Sequence, residues 1–272
     1  MNISTAVVLK ILLLSGIILS FYRWVSPMLL NPFRRWMTIP SLEARFPTRD
    51  VYAAVRLVAA AILQAAFFFA LLWMFHPVIH ISVRKDLNIA TLLLASILGI
   101  SEMAVVTLLG FSVMQGVALA DRWAGRGSPN WSAVARGGWI QMYFKTIEVL
   151  PKPLGHLSVL LYIAFEECIF RVIVIGVIGP TSSLAGLAFS TGLFVYYQKF
   201  HTPGWRTAIF PMLGALIVGV VHGLLYNAVP NLFALVVAHS TFFASALWSM
   251  KSIDRSRAQS VGATYNGGRS HF

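Results

Sequence analysis

Charge is what this sequence has least of. Only 11% of its 272 residues are charged, and Asp and Glu together number 9, whereas ordinary soluble domains carry about 25% charged residues. Too few charges remain to cover a globular surface, which excludes a soluble enzyme and a disordered chain. Cysteine is nearly missing: Cys168 stands alone, so no intrachain disulfide framework exists. No glycine-rich phosphate loop, Ser/His/Asp arrangement or His-Glu-x-x-His zinc helix is found. Nucleotide use and serine-protease chemistry are thereby set aside, and no solenoid-type repeat is visible.

What is present is apolar. Hydrophobic residues make up 58% of the chain and the mean hydropathy is +0.76. They fall in runs near Thr5–Tyr22 (extending toward Leu30), Val51–His76, Leu87–Leu119, Leu154–Ile178, Leu184–Tyr197, Thr207–Tyr226 and, after the turn Asn227–Asn231, up to Met250. Runs of this length predict an all-α, polytopic membrane bundle of about seven transmembrane helices, or six if the first run lies in the interface. Arg23 and Trp24 follow the first run in place of a small-residue cleavage site, so it reads as an uncleaved membrane segment. The organisation expected is N-terminal membrane helices and an amphipathic interfacial linker over 1–150, a helical core over 151–250, and a flexible basic tail over 251–272.

The formal charge is +12. A nucleic-acid binder would gather its cations on one stripe; here they sit in short segments between apolar runs. With the amino terminus outside and seven crossings, the inner segments collect nearly all of them, while the outer loops hold only Arg84 and Lys85. That asymmetry is the positive-inside pattern, and it puts the carboxyl terminus in the cytoplasm. A bacterial inner membrane is the expected location. The partners are then membrane lipid and a membrane-associated peptide or protein, with no nucleic acid.

Ionisable residues inside a span are costly and mark function by default. The fourth run holds Glu166-Glu167-Cys168-Ile169-Phe170-Arg171. Glu167 and Arg171 are one helical turn apart, in the favoured order for an i,i+4 pair, whereas Glu166 points about 100° away. One base cannot neutralise two acids, so Arg171 is expected to hold Glu167 while Glu166 faces a cavity. His239 lies inside the last helix, His222 inside the sixth and His201 just beyond the fifth. Imidazoles near a carboxylate can bind a metal or handle the proton of an activated water, and spacing alone does not separate these roles. Glu102, a lone acid in the third run, reads equally as a partner of a cavity histidine or as a structural group. His76 and His80 read as interface residues, and His222 as structural.

These residues resemble the CAAX-protease and bacteriocin-processing (CPBP) family of intramembrane proteases, whose motifs are Glu-Glu-x-x-x-Arg, Phe-x-x-x-His and His-x-x-x-Asn. The first is intact at Glu166, Glu167 and Arg171. The second fits Tyr197 to His201, with Tyr in place of Phe; a rival register, Phe194 to Gln198, keeps Phe and replaces His. The third keeps His239 but has Phe243 in place of Asn. The resemblance covers roughly Leu154 to Trp248. It implies an endopeptidase in which Glu166 activates water, Glu167 and Arg171 support it, and His201 and His239 bind the water or stabilise the oxyanion. A divalent metal such as zinc, held by His201 and His239, is the only cofactor it leaves open. Losing one oxyanion donor typically costs about 2.7–4 kcal/mol, and the substitutes for the missing asparagine are Thr241, Tyr226 and Gln198. Two alternatives stand beside the enzyme. One is a catalytically silent scaffold, immunity or assembly protein with a stable protein partner; the other is a proton-coupled transporter.

Overall fold

The structure is a computed structural model and describes residues 5–31, 40–75, 88–125, 139–201 and 205–267. Among these every regular element is helical. The first helical run is α1 (Thr5–Ser20), a π-helical turn (Phe21–Val25) and α2 (Ser26–Leu30), followed by the short α3 (Pro40–Glu43). Then come α4 (Thr48–Phe75), α5 (Ile89–Trp123) and α6 (Trp139–Val149). The segment α7 (Lys152–Glu167), a π-helical stretch (Cys168–Ile175) and α8 (Gly176–Ile178) continue into one another. After a turn come α9 (Ser183–Gln198), a 3-10 turn (Lys199–His201), α10 (Trp205–Ala228) and α11 (Leu232–Gly267).

Among the described residues, five stretches are long and apolar enough to cross a bilayer: Val7–Leu30, Thr48–Phe75, Ile89–Trp123, Ala208–Ala228 and Leu232–Ser249. The protein is thus an integral, multi-pass membrane protein. The fourth and fifth runs of the sequence are helical as well, though one carries the charges of Glu166, Glu167 and Arg171 and the other spans 16 residues. Their outward faces are apolar, as at Leu157, Leu160, Leu161 and Leu184, which is where lipid satisfies them.

Local chemistry starts several of these helices. The Asn88 side chain accepts the Thr91 amide at 2.8 Å and opens α5, and Ser182 accepts the Ala185 amide at 3.2 Å and opens α9. Asn231, fully buried, accepts the Phe233 amide at 2.9 Å and so fixes the entry of α11, the helix that carries His239. Packing pairs α5 with α11 and α9 with α10, while α4 lies against α6 and α7. At Gly99 the approach of α5 to α11 is closest. A Cβ there would run into the Ala238 carbonyl and lie 2.9 Å from the Phe242 nitrogen. Only glycine allows that contact, and it brings Glu102, one turn further along α5, to the level of His239's helix.

The helix after Glu167 departs from a simple α-helical reading. From Cys168 to Ile175 the backbone is π-helical and all eight residues are buried. A wider turn of this kind recurs at functional positions. Here the Phe170 carbonyl inside it accepts a hydrogen bond from the buried Ser190 hydroxyl at 2.6 Å, tying the stretch to α9.

Candidate active site

Glu167 is at the centre of a dry, fully buried cluster. Its Oε2 pairs with Arg171 Nε at 3.3 Å, and its Oε1 lies 3.0 Å from His222 Nδ1 and 2.5 Å from His239 Nδ1. The other ring nitrogen of His222 faces Glu102 Oε1 at 3.2 Å. His222, Glu167 and Arg171 are each 0% exposed and Glu102 1%. His222 thus stands between a carboxylate of α5 and one of α7, and among the described residues only its Nδ1 makes a hydrogen bond. The Arg171 guanidinium also sits over the Phe194 ring at 4.4 Å, and among the described residues no hydrogen bond reaches any of its three nitrogens.

Glu166, one residue earlier, lives in different surroundings. Its Oε1 accepts a hydrogen bond from the Tyr197 hydroxyl at 2.8 Å, and Tyr197 is itself 2.8 Å from the Tyr162 hydroxyl. Since Tyr197 gives its only hydroxyl proton to Glu166, Tyr162 is the donor to Tyr197. Glu166 and His239 line one small cavity of about 30 Å³, together with Tyr143, Gln198, Pro211 and Phe243. With its Nδ1 held by Glu167, His239 has Nε2 left for the cavity. The volume admits about one water, which needs at least ~10–15 Å³ on this measure.

The structure brings together Glu166, His239 and Gln198, and behind them Glu167, Arg171, His222 and Glu102. His201 closes the 3-10 turn that follows α9, and its side chain is outside the described residues, as are His76 and His80. Among the described residues, Phe194, Tyr197 and Gln198 of the two overlapping registers line the cavity. Of the three substitutes for the missing asparagine, Thr241 donates to the Val237 carbonyl at 2.7 Å and Tyr226 is not among the lining residues, so Gln198 remains. Phe243 stacks on His239, with ring centroids 5.2 Å apart and planes at 13°.

Sequence reasoning took His222 as structural and Tyr197 only as a motif position, and it gave Tyr162 no part. The contacts of His222 to Glu167 and of the tyrosines to one another and to Glu166 join residues 31 to 55 apart in sequence, and the contact of His222 to Glu102 reaches further still. The spacing of Tyr162, Glu166 and Glu167 on one helix was a usable signal, since i,i+4 places Tyr162 beside Glu166.

Among the described residues, one oxygen of Glu167 and one nitrogen each of His222 and His239 all lie within 4.8 Å of one another. Two imidazoles and a carboxylate are a donor set that suits zinc. This set uses His222 where the sequence pointed to His201.

One comparison finds a partial match. Residues 150–244 match the family model described as Rce1-like, type II CAAX prenyl endopeptidase Rce1-like. That segment holds both glutamates, Arg171, Gln198, His222 and His239, and its match is consistent with the CAAX-protease resemblance of the sequence motifs. Glu102, Tyr143 and the whole of α1 to α6 fall outside it. No curated protein and no solved structure matches the chain.

Proposed function

We propose that the protein is an intramembrane endopeptidase that hydrolyses a peptide bond of a membrane-associated substrate near the inner membrane face, with water activated by Glu166. The observation that carries this reading is the shared cavity of Glu166, His239 and Gln198, which has room for one water. The matched family is a protease family, which supports hydrolysis at the coarse level.

The chemistry follows from the atoms at hand. Tyr197 occupies one oxygen of Glu166, so the other is free to take a proton from water while His239 Nε2 accepts the water's second hydrogen. The resulting hydroxide adds to the scissile carbonyl. The Gln198 amide is the side-chain donor placed to meet the oxyanion, and Glu166 returns the proton to the departing amine. Glu167 fixes the ring of His239, while Arg171, His222 and Glu102 hold Glu167 in place; these are positioning residues. A divalent ion, when bound, would be held by Glu167, His222 and His239 and would supply Lewis acidity. The positive-inside pattern places the amino terminus outside and the carboxyl terminus in the cytoplasm.

Glu166→Gln keeps the shape and removes the base. Processing of the native substrate is expected to fall at least about 100-fold, with unchanged accumulation in the membrane, as read by immunoblot of substrate and protein. A second reading, a catalytically silent member that binds a membrane partner, is favoured by Phe243, whose ring covers His239 where an amide would serve catalysis. Full biological function in the Glu166→Gln variant would support that scaffold.

A further inference from the structure

A second, larger cavity of about 320 Å³ opens among α2, α4, α6 and α7. Its size is that of a ligand pocket. Arg49, Asp50, Tyr52, Ala53, Arg56, Ala60 and Gln64 line it at successive turns of α4, so it follows one face of that helix. Lys145 is committed to Asp50 at 3.1 Å and to Glu148 at 3.2 Å. Arg49 and Arg56 also line it, and neither has an ion-pair partner among the described residues. At the far end Gln64 is 2% exposed; its amide nitrogen donates to the Tyr22 hydroxyl at 3.2 Å, and its carbonyl oxygen has no partner among the described residues. Tyr22 accepts that bond, and its own proton is directed to no described acceptor. The cavity therefore offers two cations that pair with no described residue, and at its floor an acceptor and a donor that bond to no described partner.

That complement fits a peptide. A backbone N–H would satisfy Gln64, a backbone carbonyl would take the Tyr22 proton, and a carboxylate would meet Arg56. Diacyl lipid has the anion and the carbonyls but brings no amide donor to the floor. Arg56 and Gln64 are eight residues apart on α4, about 12 Å at 1.5 Å per residue, which an extended chain covers in about four residues. Tyr162 and Met142 line both this cavity and the one that holds Glu166. A chain seated here lies one side chain away from the proposed reaction centre.

We propose that this cavity receives the carboxylate-bearing flank of the substrate peptide, with Arg56 and Arg49 as the cationic partners and Gln64 and Tyr22 engaging its backbone. Its role as a substrate subsite rests on the proteolytic reading; peptide binding in it does not. All of these residues except Tyr162 and Phe200 precede residue 150, so the selectivity is supplied by helices outside the segment that matches the protease family.

The test uses the full chain carrying Glu166→Gln in phosphatidylcholine nanodiscs, with three fluorescent peptides sharing one apolar sequence. The first ends in a free carboxylate, the second is amidated and carries one glutamate, and the third is amidated without an acid. Fluorescence anisotropy is expected to show at least one acidic peptide binding about tenfold more tightly than the neutral one, and which of the two does so identifies the source of the carboxylate. Arg56→Gln should abolish that preference and Arg56→Lys retain part of it, while Gln64→Leu weakens all three peptides alike. Arg49→Gln, at an exposed position, should reduce the preference and serves if the Arg56 variant does not fold. Equal affinities for the three peptides, or a preference indifferent to both arginines, would overturn the proposal. So would phosphatidylglycerol that co-purifies with the protein only when Arg56 is present, which would make this a lipid site. If acid preference holds while Glu166→Gln still processes substrate, the proteolytic reading fails and the peptide site stands. If Glu166 proves essential and the preference is absent, only the subsite falls.

Discussion

Glu166 and Glu167 are neighbours in the chain, and the regions around them are opposites. Around Glu167 every partner is a cation or a ring nitrogen, and three side chains converge on its two oxygens. Around Glu166 there is one phenolic donor and a space for water. The difference teaches that two adjacent buried carboxylates can be given opposite surroundings, one left beside a space with a single donor and the other enclosed by partners that hold the nearby rings. A rotation of about 100° between consecutive helical residues is enough to separate the two conditions.

Substitutions on the two sides should fail in different ways. Glu166→Gln is expected to remove turnover and leave the folded protein intact. Arg171→Ala, on the other side, leaves Glu167 buried beside an unfilled space, and breaking such a pair typically costs about 3–5 kcal/mol. Its expected outcome is loss of protein from the membrane and a large drop in melting temperature, both measurable on the purified chain. Undiminished accumulation would mean that Glu167 does not depend on Arg171.

Glu102→Gln sharpens the comparison further, because it touches the cluster from α5 and leaves the cavity alone. It replaces the carboxylate that lies 3.2 Å from His222 Nε2 with an amide, and about 2 kcal/mol of stability should go with it. Turnover per folded molecule should stay within a few-fold of the parent, in contrast to Glu166→Gln. A loss of similar size, about 2–3 kcal/mol, is expected for Gly99→Ala, whose Cβ meets the Ala238 carbonyl and forces α5 away from α11, carrying Glu102 with it. Adding Glu102→Gln to that change should then cost less than it does alone, a non-additivity that melting of the double variant would reveal.

The smallest effect concerns how α6 is fastened beside the Glu166 cavity. Hydrogen bonds from Lys145 to Asp50 and Glu148 raise the lysine above its ordinary 10.5. A raised cation contributes fully below its ordinary value and loses that contribution as pH climbs through the raised one. Stability should therefore be indifferent to this group from pH 6 to 9 and decline only in the alkaline range. Because the pair is partly exposed, Lys145→Gln should cost under about 1 kcal/mol, and an equal alkaline decline in that variant would show that the pairing is not its source.

Much of this was legible beforehand because membranes simplify the reading. Apolar runs announced the helices, and Glu166, Glu167 and Arg171 stood out as charges that hydrocarbon does not tolerate without cause. The i,i+4 relation of Glu167 to Arg171 was local, and its ion pair is present at 3.3 Å. The contacts of His222 were not legible for the opposite reason: Glu102 and Glu167 come from two other helices, and no spacing rule connects them. Gln198 stood below His201 on residue type; it lines the cavity, and the His201 side chain lies outside the described residues. The larger cavity was invisible, since Gln64 and Tyr22 are unremarkable in isolation and acquire meaning only when α4 faces the end of the first helical run.

The wide coil from Cys168 to Ile175 has a consequence for how this protein tolerates insertions and deletions. A π-helical stretch carries surplus residue per turn, so removing one residue there would let the backbone tighten into ordinary α-helix with its ladder intact. Seven α-helical residues turn through about 700°, close to the sweep of the eight wider-coiled ones, so the residues beyond Ile175 would keep nearly their present facing. Inside the window the registers would change: Phe170 would shift from Ser190, and Arg171 would move from i+4 to i+3 of Glu167 whenever the deletion fell between them. A frame-preserving loss of a single codon in this window would thus spare the helix and disturb only the contacts made inside the wide coil.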